Sequence, residues 1–444
     1  MSSNIDTSTL FSGQGIDVTS VVTQLVTAAR KPEQNWQDQQ KAIQTQVDAL
    51  DQLNTDLTDM WSKINALKDQ SGATGSVTTN SSNPNIVTAT ASSGTAPGTH
   101  VVEVDSLAKT SSYYTDPVAS STTTLANGSI TIQVGSGTPT TVTIDSSDNT
   151  LSTLAAKING LDLGVSAYVV TDANGARLAM VSKASGASSD LTVTDSASLG
   201  FTKAVTGANA TLTVDGVPIS STSNIVTGVI PGVTFTLTGA SVGTQVAVGI
   251  TPNTSDAIAA TKDFVTAYNK VILELNQGMA YDTGTQQGGA LSGDSGARMV
   301  QQELLGFAGM TVSGAGSLTT LRSLGINMND DGTLTVDSTQ LNDAVTNHFS
   351  DFQSFFQSTT GFGQTVSARL LVLSSPSQGA FSLEIKGLQT TEQSLQSQID
   401  DFEVYIAGQQ QQWLTQYNQI NVMLQQLPLL QAQINAELGN TSSK

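Results

Sequence analysis

The apolar positions of this chain change period twice: near each end they recur every seven residues, and between the ends they alternate. Asp17 stands where an N-cap belongs, and Val18, Val21, Val22, Leu25 and Ala29 then fall on one face of a short helix. Pro32 interrupts this helix or opens the next one, which the pattern carries to about Lys68. Along it Trp36, Ile43, Leu50, Leu57 and Ile64 keep a seven-residue spacing. Leu53, Met60 and Leu67 fill a companion column that Gln39 and Gln46 occupy earlier. This is a coiled-coil-like seam, and at ~1.5 Å per residue its helix would be about 50 Å long. The C-terminal end repeats the arrangement. Ile399, Ile406, Trp413, Ile420, Leu427 and Ile434 form one column, and Leu388, Leu395, Phe402, Met423 and Leu430 the other, with Gln409 and Gln416 interrupting it. Pro428 is expected to kink or end this helix near Leu427, and the tail GNTSSK to be disordered. A large apolar side chain gains roughly 1.5–3 kcal/mol on burial, so both stripes need partners. The simplest solution packs the two chain ends together; neighbouring subunits are a further one, and seam length does not choose between them.

Between about residues 85 and 252 the period is two, which predicts strands. THVVEVD (99–105), SITIQV (129–134), TTVTID (140–145), GVSAYVVT (164–171), ARLAMVS (176–182), LTVT (191–194), ATLTVDG (210–216), VTFTLT (233–238) and QVAVGIT (245–251) all alternate. Asn174-Gly175 is a hairpin signal. A helix over about 151–159 places Leu151, Leu154 and Ile158 on one face. Helical spacing returns at 255–276 through Ile258, Val265, Tyr268, Ile272 and Leu275, with further helices near 297–308 and 338–357. The β part is thus an excursion out of a helical body and back into it, and SGATGSVTTNSSNPN (71–85) reads as a linker.

Composition narrows the function classes. A length of 444 residues allows two to four domains. Only 12% of residues are charged, so Ser, Thr, Gln, Asn and Gly must fill the surface. A net charge of −19 with 17 Lys and Arg argues against nucleic acid and against a polybasic membrane contact. No apolar run of about 18 residues exists to span a bilayer. The absence of cysteine removes disulfides and thiolate metal sites. The start, MSSNIDTSTLFSGQGIDVTS, has neither a basic nor an apolar signal region. It reads as a disordered beginning or as an uncleaved export signal.

Two stretches imitate chemistry. GDSGAR (293–298) looks like the surroundings of a serine-protease nucleophile at Ser295, with His100 upstream. However, Ala297 stands where the next glycine is expected, the flanks are helical, and a triad needs its groups in hydrogen-bond reach. A capping turn, with Ser292 or Asp294 ahead of a helix, fits better. INMNDDGTLTVD (326–337) places Asn327, Asn329, Asp331 and Gly332 as in a calcium loop, but Ser338 replaces the bidentate carboxylate. A tight turn before Leu334–Val336 is the better reading. No metalloprotease, P-loop or dinucleotide motif appears. The expectation is a structural protein with no catalytic residue, cofactor or metal.

Several blocks together resemble the flagellar filament-capping family, hook-associated protein 2 (FliD). GIDVTSVVTQLVTAARKP (15–32) is similar to that family's start, although Arg30-Lys31-Pro32 lacks the Glu often found just ahead of it. ATLTVDGVPISSTSNIVTGVIPGVTFTLT (210–238) resembles an outer domain of the family, and DFVTAYNKVILELN (263–276) a helix of it. ALSGDSGARMVQQEL (290–304) and LRSLGINMNDDGTLTVDSTQLNDAV (321–345) match family turns, and WLTQYNQINVMLQQL (413–427) its C-terminal leg, in which Pro428 is a departure. Residues 126–195 resemble the flagellin hook-insertion module.

The resemblance implies a multidomain α+β fold: N- and C-terminal helices paired in a coiled-coil-like bundle, with two inserted β-rich domains. Terminal legs would be 1–40 and 405–444, a helical domain 41–75 with 253–404, a first β domain 76–110 with 205–252, and the outermost, hook-insertion-like domain 111–204. It implies a secreted protein, exported by the flagellar type III apparatus without a cleaved signal. It would form a homo-oligomeric ring, often a pentamer, at the distal filament tip. Implied partners are flagellin, the hook–filament junction proteins and an export chaperone, with no nucleic acid and no membrane. An alternative function is a surface adhesin of the flagellar tip, binding host mucin or surface glycans through 111–204. The expected subunit or flagellin contacts are Trp36, Ile43, Leu50, Leu57, Ile64, Ile399, Ile406, Trp413, Ile420 and Leu427. The expected chaperone stripe is Ile420, Leu424, Leu427 and Ile434.

Overall fold

The structure is a computed structural model that describes residues 11–12, 15–284, 286–375 and 377–441. The helices, in chain order, are α1 (Val18–Ala29), α2 (Lys31–Lys68), α3 (Leu151–Gly160), α4 (Thr254–Met279), α5 (Ser295–Ala308), α6 (Ser338–Asn347), α7 (Phe349–Gln357), α8 (Phe362–Leu373) and α9 (Ala380–Thr441). The described residues divide into two compact units. Met1–Asn65, Lys262–Ala344 and Ser354–Lys444 belong to the first; Ala66–Thr261 and Val345–Gln353 belong to the second. Helices at both ends and strands between them give the expected multidomain α+β class.

In the first unit the seam of α2 is interior. Leu50, Leu57 and Ile64 are wholly buried, as are Leu53 and Met60 of the companion column. Helix α4 is tied to α2 by Lys270, which donates to Asp56 at 2.7 Å, and its Phe264, Tyr268, Ile272 and Leu275 are buried at helical spacing. Tyr268 donates its hydroxyl proton to the Leu304 carbonyl of α5 at 3.2 Å, and burial pushes its phenol far above the ordinary range. Phe264, Phe355, Phe356 and Phe362 form one aromatic cluster with centroid separations of 5.0–5.9 Å. The expected polar breaks in the seam have distinct fates. Gln39 faces solvent, whereas Gln46 is half-buried and donates to Asp294 Oδ2 at 3.1 Å, which pins α2 against the start of α5.

The second unit holds two separate cores. In one, a five-stranded sheet runs in the order Val217–Ser221, Ala210–Val214, Gly98–Ser106, Gln245–Pro252, Val77–Ser81. It shares its core with the three-stranded sheet Ile225–Thr227, Val233–Leu237, Val87–Ala91, around Val102, Leu212, Phe235 and Val248. Segment 71–85, expected as a linker, therefore contains an edge strand. Its β-branched Val77, Thr78 and Thr79 suit a pleated surface, and the Thr78 and Thr251 hydroxyls meet across the ladder at 3.0 Å. In the other core, α3 packs with the sheet of Thr202–Val205, Ser112–Tyr114, Gly175–Ser182 and Val165–Asp172 and with the sheet of Leu191–Asp195, Gly128–Val134 and Thr140–Ile144. Strand Gly175–Ser182 alternates strictly, with Ala176, Leu178 and Met180 buried. Thr150 caps α3 in a reciprocal box with Thr153.

Other differences from the sequence reading lie in the helices. The region 338–357 is two helices meeting at His348, and α8 lies in a stretch for which the spacing predicted no element. Helix α9 does not end near Leu427: it runs through Pro428 to Thr441, because a long helix absorbs the loss of one N–H donor. The tail expected to be disordered is helical at Gly439–Thr441. Residues 442–444, like 1–10 and 13–14 of the expected disordered start, lie outside the described residues. Asp17 caps α1, accepting from the Ser20 N–H at 3.1 Å.

Candidate assembly interface

The chain ends meet inside the first unit. Arg30 closes α1, and its guanidinium donates to both Glu403 oxygens at 2.6 and 2.7 Å and to Glu33 at 2.7 Å. The paired hydrogen bonds to Glu403 raise the guanidinium pKa further and hold the Glu403 carboxyl below its usual range. Trp36 sets its ring edge-on to Phe402 at 5.3 Å, and Gln40 donates to Gln396 at 3.0 Å. Numbers rise along α2 as they fall along α9, so the two helices are antiparallel, and α1 continues the pairing along α9.

This pairing divides the predicted contact residues into three groups. Leu50, Leu57, Ile64, Ile399 and Ile406 are buried within the unit, so their side chains pack its interior and present nothing outward. Trp36, Ile43, Trp413 and Leu424 are half-buried. Ile420, Leu427 and Ile434 are exposed by 40%, 57% and 48%, with Met423 and Leu430 beside them at 60% and 54%. Val422 and Leu429, off the predicted columns, are also exposed. At 100° per residue these side chains, with Leu424, span an arc of about 220°. That is broader than a two-helix seam requires, and it offers binding surface on more than one side. The seven-residue columns find only part of this arc; the additional apolar residues beside them are the signal for the rest.

The chemistry-like stretches are structural. Asp294 N-caps α5, accepting from the Ala297 N–H at 2.8 Å, and Ser295 is simply the first residue of that helix. His100 Nδ1 is bound to Asp215 Oδ2 at 2.7 Å. In the calcium-like loop, Asp331 accepts from the N–H and hydroxyl of Thr333 at 3.0 and 2.6 Å, which lowers its pKa, and Gly332 takes φ +83° in the turn between Ile326–Met328 and Leu334–Val336. Among the described residues no group of three or more His, Asp or Glu is placed to hold a metal, and no helix is long and apolar enough to cross a membrane.

Comparison with known proteins follows the same ground plan. The family model described as flagellar hook-associated protein 2 C-terminus matches residues 207–428, half of the chain. Its N-terminal counterpart matches 14–111, and the flagellin hook IN motif matches 129–184 between them. The chain is 27% identical over 433 residues to the B-type flagellar hook-associated protein 2 of Pseudomonas aeruginosa, covering 90% of this chain and 91% of that one. It is 27% identical over 466 residues to the flagellar hook-associated protein 2 of Escherichia coli K12, covering 98% and 99%. Among solved structures, the D1-D2-D3 domains of the flagellar cap protein FliD from Escherichia coli superpose with a TM-score of 0.62 at 27% identity, over 77% of this chain and 99% of that one.

Proposed function

This chain belongs to the flagellar hook-associated protein 2 family, and from that premise we propose that it caps the distal tip of a bacterial flagellar filament. Copies of the chain form a ring that retains exported flagellin and promotes its folding and insertion as the filament elongates. The observation that carries the reading is the open apolar arc on the last part of α9, at the end of a helix whose earlier stripe is closed within the protomer. Ile420, Leu427 and their neighbours engage helices of flagellin or of the adjacent subunit at the growing end. The ring confines newly delivered flagellin, and each insertion advances the cap by one step. The acceleration is one of confinement and templating, with no bond made or broken by the cap. Deleting the gene in its own bacterium should leave hooks without filaments and spill monomeric flagellin into the medium, both reversed by the intact chain. Normal filaments in the deletion strain would refute the capping role.

The same arc suits a chaperone before assembly, as an amphipathic helix laid in an apolar groove with Ile420, Leu424, Leu427 and Ile434 as anchors. These side chains are about half covered already, so completing their burial supplies roughly 3–6 kcal/mol of the ~8 kcal/mol of a micromolar complex. Removing residues 405–444 should therefore abolish capture by the export chaperone in a titration of purified proteins. Unchanged affinity would place chaperone docking elsewhere on the chain.

A further inference from the structure

Two pairs of carboxyl groups join distant helices of the first unit, and in each pair two like charges stand side by side while both members are ionised. Asp56 of α2 is 4% exposed. It accepts from Lys270 Nζ at 2.7 Å, and Gln52 Nε2 lies 3.2 Å from each of its oxygens. Glu274 of α4, one turn beyond Lys270, turns to the same carboxylate; its Oε2 is buried and no donor reaches it. Ionised carboxylates only accept hydrogen bonds, so this oxygen is orphaned unless a proton lies between the two groups. Among the described residues Lys270 is the one cation of this cluster, and it answers three acids, Asp56, Glu274 and Asp59.

The second pair joins α5 to α9. Asp294 already accepts from the Ala297 N–H at 2.8 Å and from Gln46 at 3.1 Å, one bond to each oxygen, when Glu384 approaches it as well. Room for Glu384 exists because residue 296 is glycine: a Cβ there would stand 2.7 Å from Glu384 Oε2. Among the described residues no cation contributes to the electrostatics of Glu384. The pair's neighbours are the neutral Gln46 of α2 and the peptide groups at the start of α5.

We propose that two shared protons, Asp56–Glu274 and Asp294–Glu384, clamp the helical unit, and that it loosens when they leave as the medium passes from mildly acidic to mildly alkaline. Burial first, and then the hydrogen bond to the neighbouring aspartate, push Glu274 and Glu384 each up to about 7. A carboxyl whose folded pKa is raised binds its proton more tightly in the folded state. Its contribution is full below the ordinary glutamate value and is lost as pH rises through about 7. Asp56 is shifted down and acts in the opposite sense, far below this window.

Hydrogen exchange on the full chain at pH 6, 7 and 8 tests the clamp. Beyond the chemical dependence of exchange on pH, openings that expose amides of α4 and α5 should become roughly three- to tenfold more frequent per pair between pH 6 and 8. The lower figure allows for solvent screening of the half-exposed glutamates. Strands Gly98–Ser106 and Gln245–Pro252 of the second unit serve as the internal reference. The double variant Glu274→Gln/Glu384→Gln keeps a donor at each place without the charge, and its excess should vanish. His100 and His348 are present in both proteins, so their contribution cancels. An equal pH dependence in both proteins would overturn the clamp. Should the variant not fold, carbon-13 titration of the wild-type glutamates decides: two resonances titrating near neutrality support the clamp, and ordinary glutamate values for both remove it.

Discussion

Phe362→Ala should cost the helical unit about 3–5 kcal/mol, the usual toll of emptying a buried aromatic site. Phe362 is wholly buried at the start of α8. It lies flat on Phe355 at 5.3 Å and 14°, and edge-on to Phe264 and Phe356 at 5.8 and 5.9 Å. Truncation leaves a cavity among three rings, one from α4 and two from α7, and it also removes aromatic contacts worth about 0.5–1.5 kcal/mol each. The loss is a large fraction of the stability of an ordinary domain. It can be read selectively, because all three tryptophans, Trp36, Trp61 and Trp413, belong to the first unit. Denaturant unfolding followed by tryptophan fluorescence should show a much lower midpoint. A midpoint within the scatter of wild type would mean that the aromatic cluster does not hold the unit together.

Ile420→Asp should have the opposite profile, with stability unchanged and function lost. Ile420 is 40% exposed, so a carboxylate there is solvated and costs the isolated protomer little. In an assembled cap the same carboxylate would be driven into an apolar contact, where an unpaired charge costs several kcal/mol. Cells that carry only this variant should secrete flagellin without building filaments, while the purified variant melts like wild type. Normal filament growth by the variant would exclude Ile420 from the working contact.

How much of this was legible in the sequence depends on whether the deciding interaction is local. The seam of α2 and its end at Lys68, the alternating strand Gly175–Ser182, the helix at 151–159 and the cap at Asp17 all rest on neighbours a few residues away, and the pattern shows them. The strand Val77–Ser81 was hidden because Ser, Thr and Asn are turn formers by composition, and only the ladder with Gln245–Pro252 makes the segment extended. Helix α8 was hidden because Gly361 and Gly363 look like a turn, and because its exposed Leu371 and Val372 blur the stripe of Phe362, Val366 and Leu370. Among the candidate contacts, period alone cannot say which apolar residues are closed within the protomer. Leu50 and Ile420 occupy equivalent seam positions and differ only in what lies opposite. The register that sets Arg30 against Glu403 brings the start of α1 opposite about residue 415. Beyond that point no helix among the described residues N-terminal to α1 covers α9.

The pairing of the chain ends also sets an order of events in time. Arg30 and Glu403 are 373 residues apart in sequence. Sheets of the second unit close over much shorter separations: Val77 finds Pro252, and Gly175 finds Asp172 in an adjoining hairpin. Contacts of long range form late, because the intervening chain must first be brought round. In a polypeptide that emerges from a ribosome or a narrow conduit with its N-terminus leading, the inserted sheets can reach their native pairing while α9 is still inside. Trp36 must wait for Phe402. The helical unit can therefore close only on a molecule that has been delivered past Phe402 and Glu403.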